Sequence, residues 1–317
     1  MDRRTFLRLG GVAAVSGSIL GVMPGDGEAS AQPGGEMERR AFGHTGHLRS
    51  VITLGAIALM SEEQGLASRV VAEALEAGVN AVDVAPTYGD AELKLGEALR
   101  GQRDQVFVGC KTGKRDKQGA AEELRESLRR MQTDHFDLYQ FHNLSTAEDL
   151  DQICAPGGAL EAFEEAKQAG LIRFVGLSSH APAVAREALG RYDFDSVMLP
   201  LSFVLHQHEG WGRDLLQEAD RRRIGLLAIK VLGARPWQEG ETRVCPKCWY
   251  RPFTSNRHVS LALRYALAQP ITSAIPSGDV RLFQRCVQIA RHYRPLDEAE
   301  QAELVQIAAG LTPLFTA

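Results

Sequence analysis

The sequence predicts an α/β protein built as a single-domain (β/α)8 TIM barrel, and three observations lead to that expectation. Eight short apolar runs alternate with amphipathic stretches, which is the pattern of repeated βα units. The length of 317 residues fits one such barrel together with a short leader. Polar and titratable residues stand where several apolar runs end, and a parallel barrel gathers its strand ends at one face.

A leader is expected at residues 1–31. Arg3 and Arg4 precede an apolar segment too short for a good membrane span, and Ala29-Ser30-Ala31 offers a small-residue cleavage site before Gln32. This arrangement is typical of a twin-arginine signal peptide. We therefore expect the twin-arginine export machinery as a partner, a periplasmic or other extracytoplasmic location, and no stable membrane span. The alternatives are a disordered basic N-terminus on a cytoplasmic protein, or a weak membrane anchor.

The barrel is expected at residues 37–317. Residues 37–50 predict a hairpin that closes the barrel bottom, residues 231–256 a long functional loop, and residues 297–309 an added C-terminal helix. Short apolar runs predict eight strands, at residues 51–58, 81–84, 106–111, 136–142, 174–178, 196–199, 225–230 and 271–275. Amphipathic stretches between them predict eight helices, at residues 67–77, 91–99, 120–131, 160–168, 183–189, 213–222, 259–268 and 282–291.

Four side chains follow three successive predicted strands. Asp83 ends the second strand and Tyr88 lies in the turn after it, while Lys111 and His142 end the third and fourth strands. A carboxylate can hold a lysine ammonium, and a lysine beside a phenol lowers the phenol's pKa from its ordinary value of about 10. Asp83, Tyr88 and Lys111 are therefore expected to form a proton-donating group at one face of the barrel.

The motifs around these residues resemble the aldo/keto reductase family. The segments that carry the resemblance are residues 83–89 (Asp-Val-Ala-Pro-Thr-Tyr-Gly), 91–99, 137–142 (Asp-Leu-Tyr-Gln-Phe-His) and 176–178. The resemblance implies an NAD(P)H-dependent oxidoreductase that reduces a small aldehyde or ketone to an alcohol by hydride transfer. It assigns Tyr88 as general acid, Lys111 as the group that lowers its pKa, Asp83 as the partner of Lys111, and His142 as the group that orients the carbonyl.

The resemblance also implies cofactor-binding residues after the fifth, seventh and eighth strands, namely Ser178, Ser179, Lys230, Leu232, Ser277, Gly278, Arg281 and Gln284. Three positions depart from the family. Ser179 replaces an asparagine, Met198 replaces a glutamine, and Asp279 stands where a basic residue is expected. Since an aspartate there would repel a 2′-phosphate, NADP(H) is the cofactor that the family implies and NAD(H) is possible. A simple helix cap is the other interpretation of Asp279.

The long loop contains Cys245-Pro246-Lys247-Cys248. Such a pair can be a redox dithiol, half of a zinc site or a local disulfide. In an exported protein an oxidised pair would stiffen the loop, and two unpaired thiols are the other expectation. The remaining three cysteines lack matching spacing, so no metal site is expected.

Composition narrows the function classes. The net charge is −4 and no basic stripe is present, which argues against a nucleic-acid partner. A monomer is expected. Two further functions stay open: a nucleotide-binding barrel with little turnover that acts as a redox sensor or accessory protein, and a barrel that acts on a sugar without nicotinamide.

Overall fold

The computed structural model describes residues 35–316, apart from the side chain of Glu209, so the expected signal peptide lies outside the described residues. The strands that are not part of the barrel form two antiparallel hairpins, β1 (Arg39–Ala41) with β2 (Leu48–Ser50) and β10 (Gly233–Pro236) with β11 (Tyr250–Pro252). The other strands form one parallel sheet: β3 (Leu54–Gly55), β4 (Ala81–Asp83), β5 (Phe107–Thr112), β6 (Phe136–Phe141), β7 (Ile172–Ser178), β8 (Ser196–Pro200), β9 (Gly225–Ile229) and β12 (Ser273–Ile275).

The sheet closes into the predicted barrel. Its strands pair in chain order from β3 to β9 and then to β12, and a parallel bridge joins Ile52 to Ala274. The Thr53 N–H donates to the Ala274 carbonyl at 2.9 Å, and the Ala274 N–H donates to the Val51 carbonyl at 2.8 Å. The first strand is shorter than expected, because residues 56–59 turn into a 3-10 helix after only two paired residues.

Helices cover the outside of the barrel, and all eight predicted helices are present. Their bounds are α1 (Gln64–Glu76), α2 (Ala91–Ala98), α3 (Lys117–Met131), α4 (Ala147–Cys154), α5 (Ala159–Gln168), α6 (Pro182–Arg191), α7 (Phe203–Glu209), α8 (Arg213–Arg222), α9 (Asn256–Leu267), α10 (Val280–Arg291) and α11 (Glu298–Ala309). The sequence analysis missed α4 and α7. Their N-caps, Thr146 and Ser202, accept backbone hydrogen bonds from Asp149 and Leu205 and were the available signals.

Two apolar layers build the core. The larger layer lies between the strands and the helices. The smaller fills the barrel interior with Phe42, Ala81, Phe107, Leu138, Met198, Leu227 and Ile275. Phe42 comes from the segment after β1, and Gly225 leaves room for its ring, since a Cβ at Gly225 would lie 2.3 Å from Cε2 of Phe42. The hairpin therefore plugs the bottom, as predicted, and the functional side chains lie at the other end.

A buried ion-pair cluster fixes the predicted C-terminal helix α11. Asp297 and Glu300 form a capping box at its start. The Glu300 carboxylate, 3 % exposed, also accepts hydrogen bonds from Arg264, Arg294 and Arg257. No helix within residues 35–316 is long and apolar enough to cross a membrane.

Candidate active site

A cavity of about 230 Å³ opens at the carboxyl ends of the barrel strands. All four predicted catalytic residues line it, as do four of the eight predicted cofactor residues, Ser178, Lys230, Ser277 and Gly278. Ser179, Leu232, Arg281 and Gln284 are not part of this lining. The predicted residues therefore mark the position of the cavity, but only some of the predicted cofactor residues line it.

Three side chains in the floor form a continuous chain of contacts. Asp83 ends β4 and Lys111 lies on the neighbouring strand β5, and both side chains are buried. The Lys111 ammonium donates to the Asp83 carboxylate, to the Val84 carbonyl at 3.1 Å, and to the Tyr88 hydroxyl oxygen at 3.5 Å. A paired positive charge is thus held beside the phenol.

The Tyr88 hydroxyl and the Lys111 ammonium both keep their protons near neutral pH. Burial raises the pKa of Tyr88, and the Lys111 ammonium lowers it by less, so the net shift is upward. Burial lowers the pKa of Lys111, but the Asp83 carboxylate and Tyr88 outweigh it and the net shift is upward. The predicted net lowering at Tyr88 is wrong for this state, because the phenol loses contact with water as it gains contact with the lysine. Tyr88 is a neutral donor and Lys111 a cation.

His142 completes the predicted catalytic set. Its ring meets the Tyr88 ring edge to face, with 6.0 Å between centroids. Burial, followed by the charges of Lys111 and other nearby cations, lowers the pKa of His142 to about 3. The imidazole is therefore neutral and can donate one N–H towards an oxygen bound in the cavity.

Gln140 contacts the predicted catalytic residues and was not among the predicted site residues. It lies on β6 opposite Lys111 on β5, and its side chain is fully buried inside the barrel. Its Nε2 donates to Oδ1 of Asp83 at 3.2 Å, whereas Lys111 is bonded to Oδ2. Gln140 therefore fixes the side of Asp83 that Lys111 leaves free. A glutamine in a fully buried strand, two residues before His142, was the available signal.

A second cation lies in the opposite wall. Lys230 follows β9 in a left-handed backbone conformation, with φ of +58°, which is uncommon outside glycine. Its Nζ lies 2.9 Å from Nε2 of His180 and 5.7 Å from the centre of the Trp249 ring. Burial, and then the charge of Lys111, lowers the pKa of Lys230 to about 7. His180 was not among the predicted site residues, and burial followed by Lys230 lowers its pKa to about 3.

The two predicted serines after β7 have different positions. Ser178 lines the cavity, and its Oγ accepts a hydrogen bond from the Asn143 N–H at 3.0 Å. Ser179 is buried behind the wall, where its Oγ donates to the Ala181 carbonyl at 3.0 Å. Met198 lines the cavity at the position where the family has glutamine.

The loop after β12 forms a further part of the wall. The Ser277 Oγ lies 2.9 Å from the Tyr250 hydroxyl oxygen, and both residues face the cavity. Gly278 lies between Ile57 and Lys247, and a Cβ there would approach Cγ2 of Ile57 to 3.0 Å and Cβ of Lys247 to 3.7 Å. The glycine therefore lets the backbone of this loop pack closely against both side chains.

Asp279 acts as the helix cap that the sequence analysis considered. Its carboxylate accepts from the backbone N–H groups of Arg281 and Leu282 at the start of α10. The Arg281 guanidinium, at the exposed surface, pairs with the same carboxylate at 3.0 Å. Gln284 donates to Glu73 at 2.8 Å on the outer surface. Arg281 and Gln284 are thus engaged outside the cavity, while Leu232 is fully buried and is not part of its lining.

The walls fit a nicotinamide dinucleotide. Lys230 has no carboxylate partner among the described residues, and a buried ammonium without an anion is unfavourable, so an anionic ligand group such as a pyrophosphate fits beside it. No group of three or more potential metal ligands occurs within residues 35–316. Both cysteines of the Cys-x-x-Cys pair are buried free thiols there.

Comparisons with known proteins agree with this geometry. The sequence profile described as "Aldo/keto reductase family" matches residues 51–309. An uncharacterized oxidoreductase of Bacillus subtilis, YqkF, is 28 % identical over 296 residues, which cover 83 % of this chain and 94 % of that protein. The L-galactose dehydrogenase of Arabidopsis thaliana is 28 % identical over 274 residues, covering 77 % and 84 % of the two chains.

A solved structure gives the same fold. The holo form of aldo-keto reductase AKR11C1 from Bacillus halodurans superposes with a TM-score of 0.67 at 27 % identity, covering 87 % of this chain and 98 % of that one. The similarity therefore extends over nearly the whole of that structure.

Proposed function

The chain belongs to the aldo/keto reductase family and is an NAD(P)H-dependent oxidoreductase of carbonyl groups, and we propose that Tyr88 is the general acid of the reaction. The observation that carries this proposal is the chain of contacts from Asp83 through Lys111 to the Tyr88 hydroxyl in the cavity floor. The sensor without turnover is not favoured, because all four catalytic candidates converge on one cavity.

The side chains divide the work by charge and position. The bound nicotinamide would supply the hydride, and negative charge would then develop on the carbonyl oxygen of the substrate. Tyr88 donates its proton to that oxygen, and Lys111 at 3.5 Å stabilises the phenolate that remains. Asp83 holds Lys111 in place, and the neutral His142 imidazole orients the carbonyl through a hydrogen bond.

The substrate is proposed to be a small aldehyde or ketone, with a sugar-derived carbonyl as the preferred class. Trp249, which is half exposed, lies at the cavity edge and offers a flat apolar surface of the kind on which sugar rings stack. The name of the Arabidopsis relative, L-galactose dehydrogenase, agrees with this class. Initial rates with a panel of aldoses against matched aromatic aldehydes test it.

The preferred cofactor is proposed to be NAD(H), against the family expectation of NADP(H). Burial raises the pKa of Asp279, but the Arg281 guanidinium and two backbone N–H groups lower it further, so the carboxylate is ionised. It occupies the start of α10, where a 2′-phosphate would otherwise bind. Asp279→Asn keeps an N-cap without the charge, and NADPH affinity is expected to rise about tenfold, or 1.4 kcal/mol, relative to NADH. An unchanged ratio contradicts this assignment.

A titration of the full chain with NADH and NADPH, followed by carbonyl reduction, tests the central proposal. Tyr88→Phe should retain nucleotide binding and lose at least about 100-fold in kcat, since general acid catalysis contributes about 10²- to 10⁴-fold. Reduction that persists at the native rate in this variant would remove Tyr88 as the acid.

Export with the nucleotide already bound is also proposed, as is a monomeric state. The arginine pair and the small-residue site in residues 1–31 support export, and twin-arginine transport carries folded proteins. An Arg3→Lys/Arg4→Lys double variant should stay in the cytoplasm while the native chain reaches the periplasm with nucleotide bound. Native protein recovered from the periplasm without nucleotide would contradict the loading, and light scattering tests the monomer.

A further inference from the structure

The segment between β10 and β11, residues 237–249, forms a strap across the cavity mouth. It begins at Trp237, whose indole N–H donates to the Cys248 carbonyl at 2.8 Å. Near its far end Lys247 reaches the opposite wall, where its ammonium donates to the Ala58 carbonyl at 2.7 Å and to Glu62 at 2.6 Å. The loop at Gly278 lies against Lys247, so the strap and this loop enclose the same cleft.

The Cys-x-x-Cys pair forms the turn of the strap. The Cys248 N–H donates to the Cys245 carbonyl at 3.0 Å, which closes a four-residue turn with one cysteine at each end. Both cysteines are buried, at 2 % and 3 % exposure, and Cys248 lines the cavity. The closed strap therefore holds the two cysteines at the ends of one tight turn, and the Cα atoms at the ends of such a turn lie less than about 7 Å apart.

The pair also touches the loop that would hold the cofactor. A Cβ at Gly278 would lie 3.7 Å from Cβ of Lys247, the residue before Cys248, and Gly278 and Cys248 both line the cavity. Contact with Cys248 lowers the pKa of Cys245, against the effect of burial. The other buried cysteines differ, because burial raises the pKa of Cys110 and of Cys286. The lowered pKa favours Cys245 as the thiol of the pair that attacks first.

We propose that Cys245 and Cys248 are a redox site, a dithiol that a low-molecular-weight disulfide oxidises to a local disulfide, which locks the strap over bound nucleotide. The inference rests on the proposed function, since it requires a nucleotide in the cleft. It assigns the pair a role in cofactor retention rather than in hydride transfer.

The exchange proceeds in two balanced steps. When the strap lifts, the Cys245 thiolate attacks one sulfur of glutathione disulfide, which breaks that S–S bond and releases one glutathione thiolate. Cys248, losing its proton to the released thiolate, then attacks the Cys245 sulfur of the mixed disulfide and expels the second glutathione as a thiolate, which is protonated by solvent. The protein dithiol is oxidised and one glutathione disulfide is reduced to two thiols.

The lock follows from linkage. Because the turn of the closed strap keeps the two cysteine Cα atoms within the range that a disulfide can bridge, a disulfide can form there with little backbone movement. The disulfide in turn favours the closed strap. The bond also removes conformational freedom from the open strap. An exported enzyme would therefore bind its nucleotide while reduced and retain it once oxidised.

The experiment compares the full chain reduced with dithiothreitol and equilibrated with glutathione disulfide. Intact mass is expected to fall by about 2 Da, the two hydrogens of the dithiol. The release rate of NADH or NADPH, measured by fluorescence after a chase, is expected to fall about fivefold or more. Cys245→Ser and Cys248→Ser should abolish both changes. Cys154→Ser removes an exposed thiol outside the cavity lining and should behave as the native chain does.

The outcomes separate the two proposals. Nucleotide binding by the reduced chain without the mass change leaves the proposed function intact and overturns the redox site. The mass change with an unaltered release rate overturns the lock. A reduced chain that binds neither nucleotide contradicts the proposed function, and the lock with it.

Discussion

Replacing Gln140 with leucine tests whether catalysis depends on how Asp83 is held. Gln140 donates to Oδ1 of Asp83 at 3.2 Å. Leucine is similar in size to glutamine but has no amide group to make this hydrogen bond. A hydrogen bond to a charged group contributes about 1.5–3 kcal/mol. If this energy positions Asp83 and Lys111 in the transition state, kcat should fall about 10- to 100-fold, since 1.4 kcal/mol corresponds to tenfold.

The assay separates positioning from general damage. Steady-state reduction at saturating nucleotide gives kcat, fluorescence titration gives the nucleotide dissociation constant, and thermal unfolding gives Tm. The dissociation constant should stay within about twofold, because Gln140 is not part of the cavity lining. Tyr139→Phe is the matched control: Tyr139 is the neighbouring residue on β6 and packs on Phe163 outside the barrel, with ring centroids 5.0 Å apart. Its kcat should equal the native value.

Two results would refute the reasoning. A folded Gln140→Leu variant with native kcat would show that the bond to Asp83 has no catalytic role. An equal loss of kcat in the Tyr139→Phe variant would show that any substitution on β6 lowers kcat, whether or not it contacts Asp83.

Three further predictions follow from other parts of the structure. Lys230→Met should weaken nucleotide binding about tenfold or more, because it removes an ammonium that has no carboxylate partner among the described residues. In the native chain nucleotide binding should weaken as pH rises through about 7, where the Lys230 ammonium loses its proton, and the variant should lack this pH dependence. Glu300→Gln should destabilise the fold by about 3 kcal/mol, because it leaves the buried Arg264 without its carboxylate. Hydrogen bonds from Arg264 and other groups outweigh burial and hold the pKa of Glu300 below its ordinary value. The difference in unfolding free energy between the variant and the native chain, measured by chemical denaturation, should therefore shrink as pH falls through that pKa. Gly225→Ala should lower stability by about 1–3 kcal/mol through overlap with Phe42, with the catalytic pH profile unchanged in the folded protein, and a native Tm would contradict the packing argument.

The course of the strands could be predicted because it depends on local pattern. Apolar runs of strand length alternate with amphipathic stretches. A parallel barrel buries the strands and the apolar faces of the helices against each other. The polar residues ending those runs then converge on one face, and Asp83, Tyr88, Lys111 and His142 indeed share one cavity. The short helices α4 and α7 were missed because their apolar patterns are brief, and only their caps mark them.

The detail of the cofactor wall could not be predicted in the same way. Ser178 and Ser179 are adjacent, yet one lines the cavity and the other is buried behind it, because successive residues after a strand point in different directions. Arg281 had a plausible role as a phosphate ligand, but the cap geometry of Asp279 engages it instead. Motif position identified the loop, and backbone direction decided which side chains enter the cavity.

The sequence by itself predicted the barrel, the family and the four residues that line the cavity floor, because periodicity and strand-end chemistry are local properties of the chain. Tertiary structure alone decided which side chains are in contact and in which direction each pKa shifts. Gln140 meets Asp83 across 57 residues of sequence, and Lys230 meets His180 across 50. The direction of the pKa shift at Tyr88 was likewise settled by folding, since it depends on the balance between lost water and a lysine contributed by another strand. Burial and through-space distance set charge states, and neither can be obtained from the order of residues along one chain.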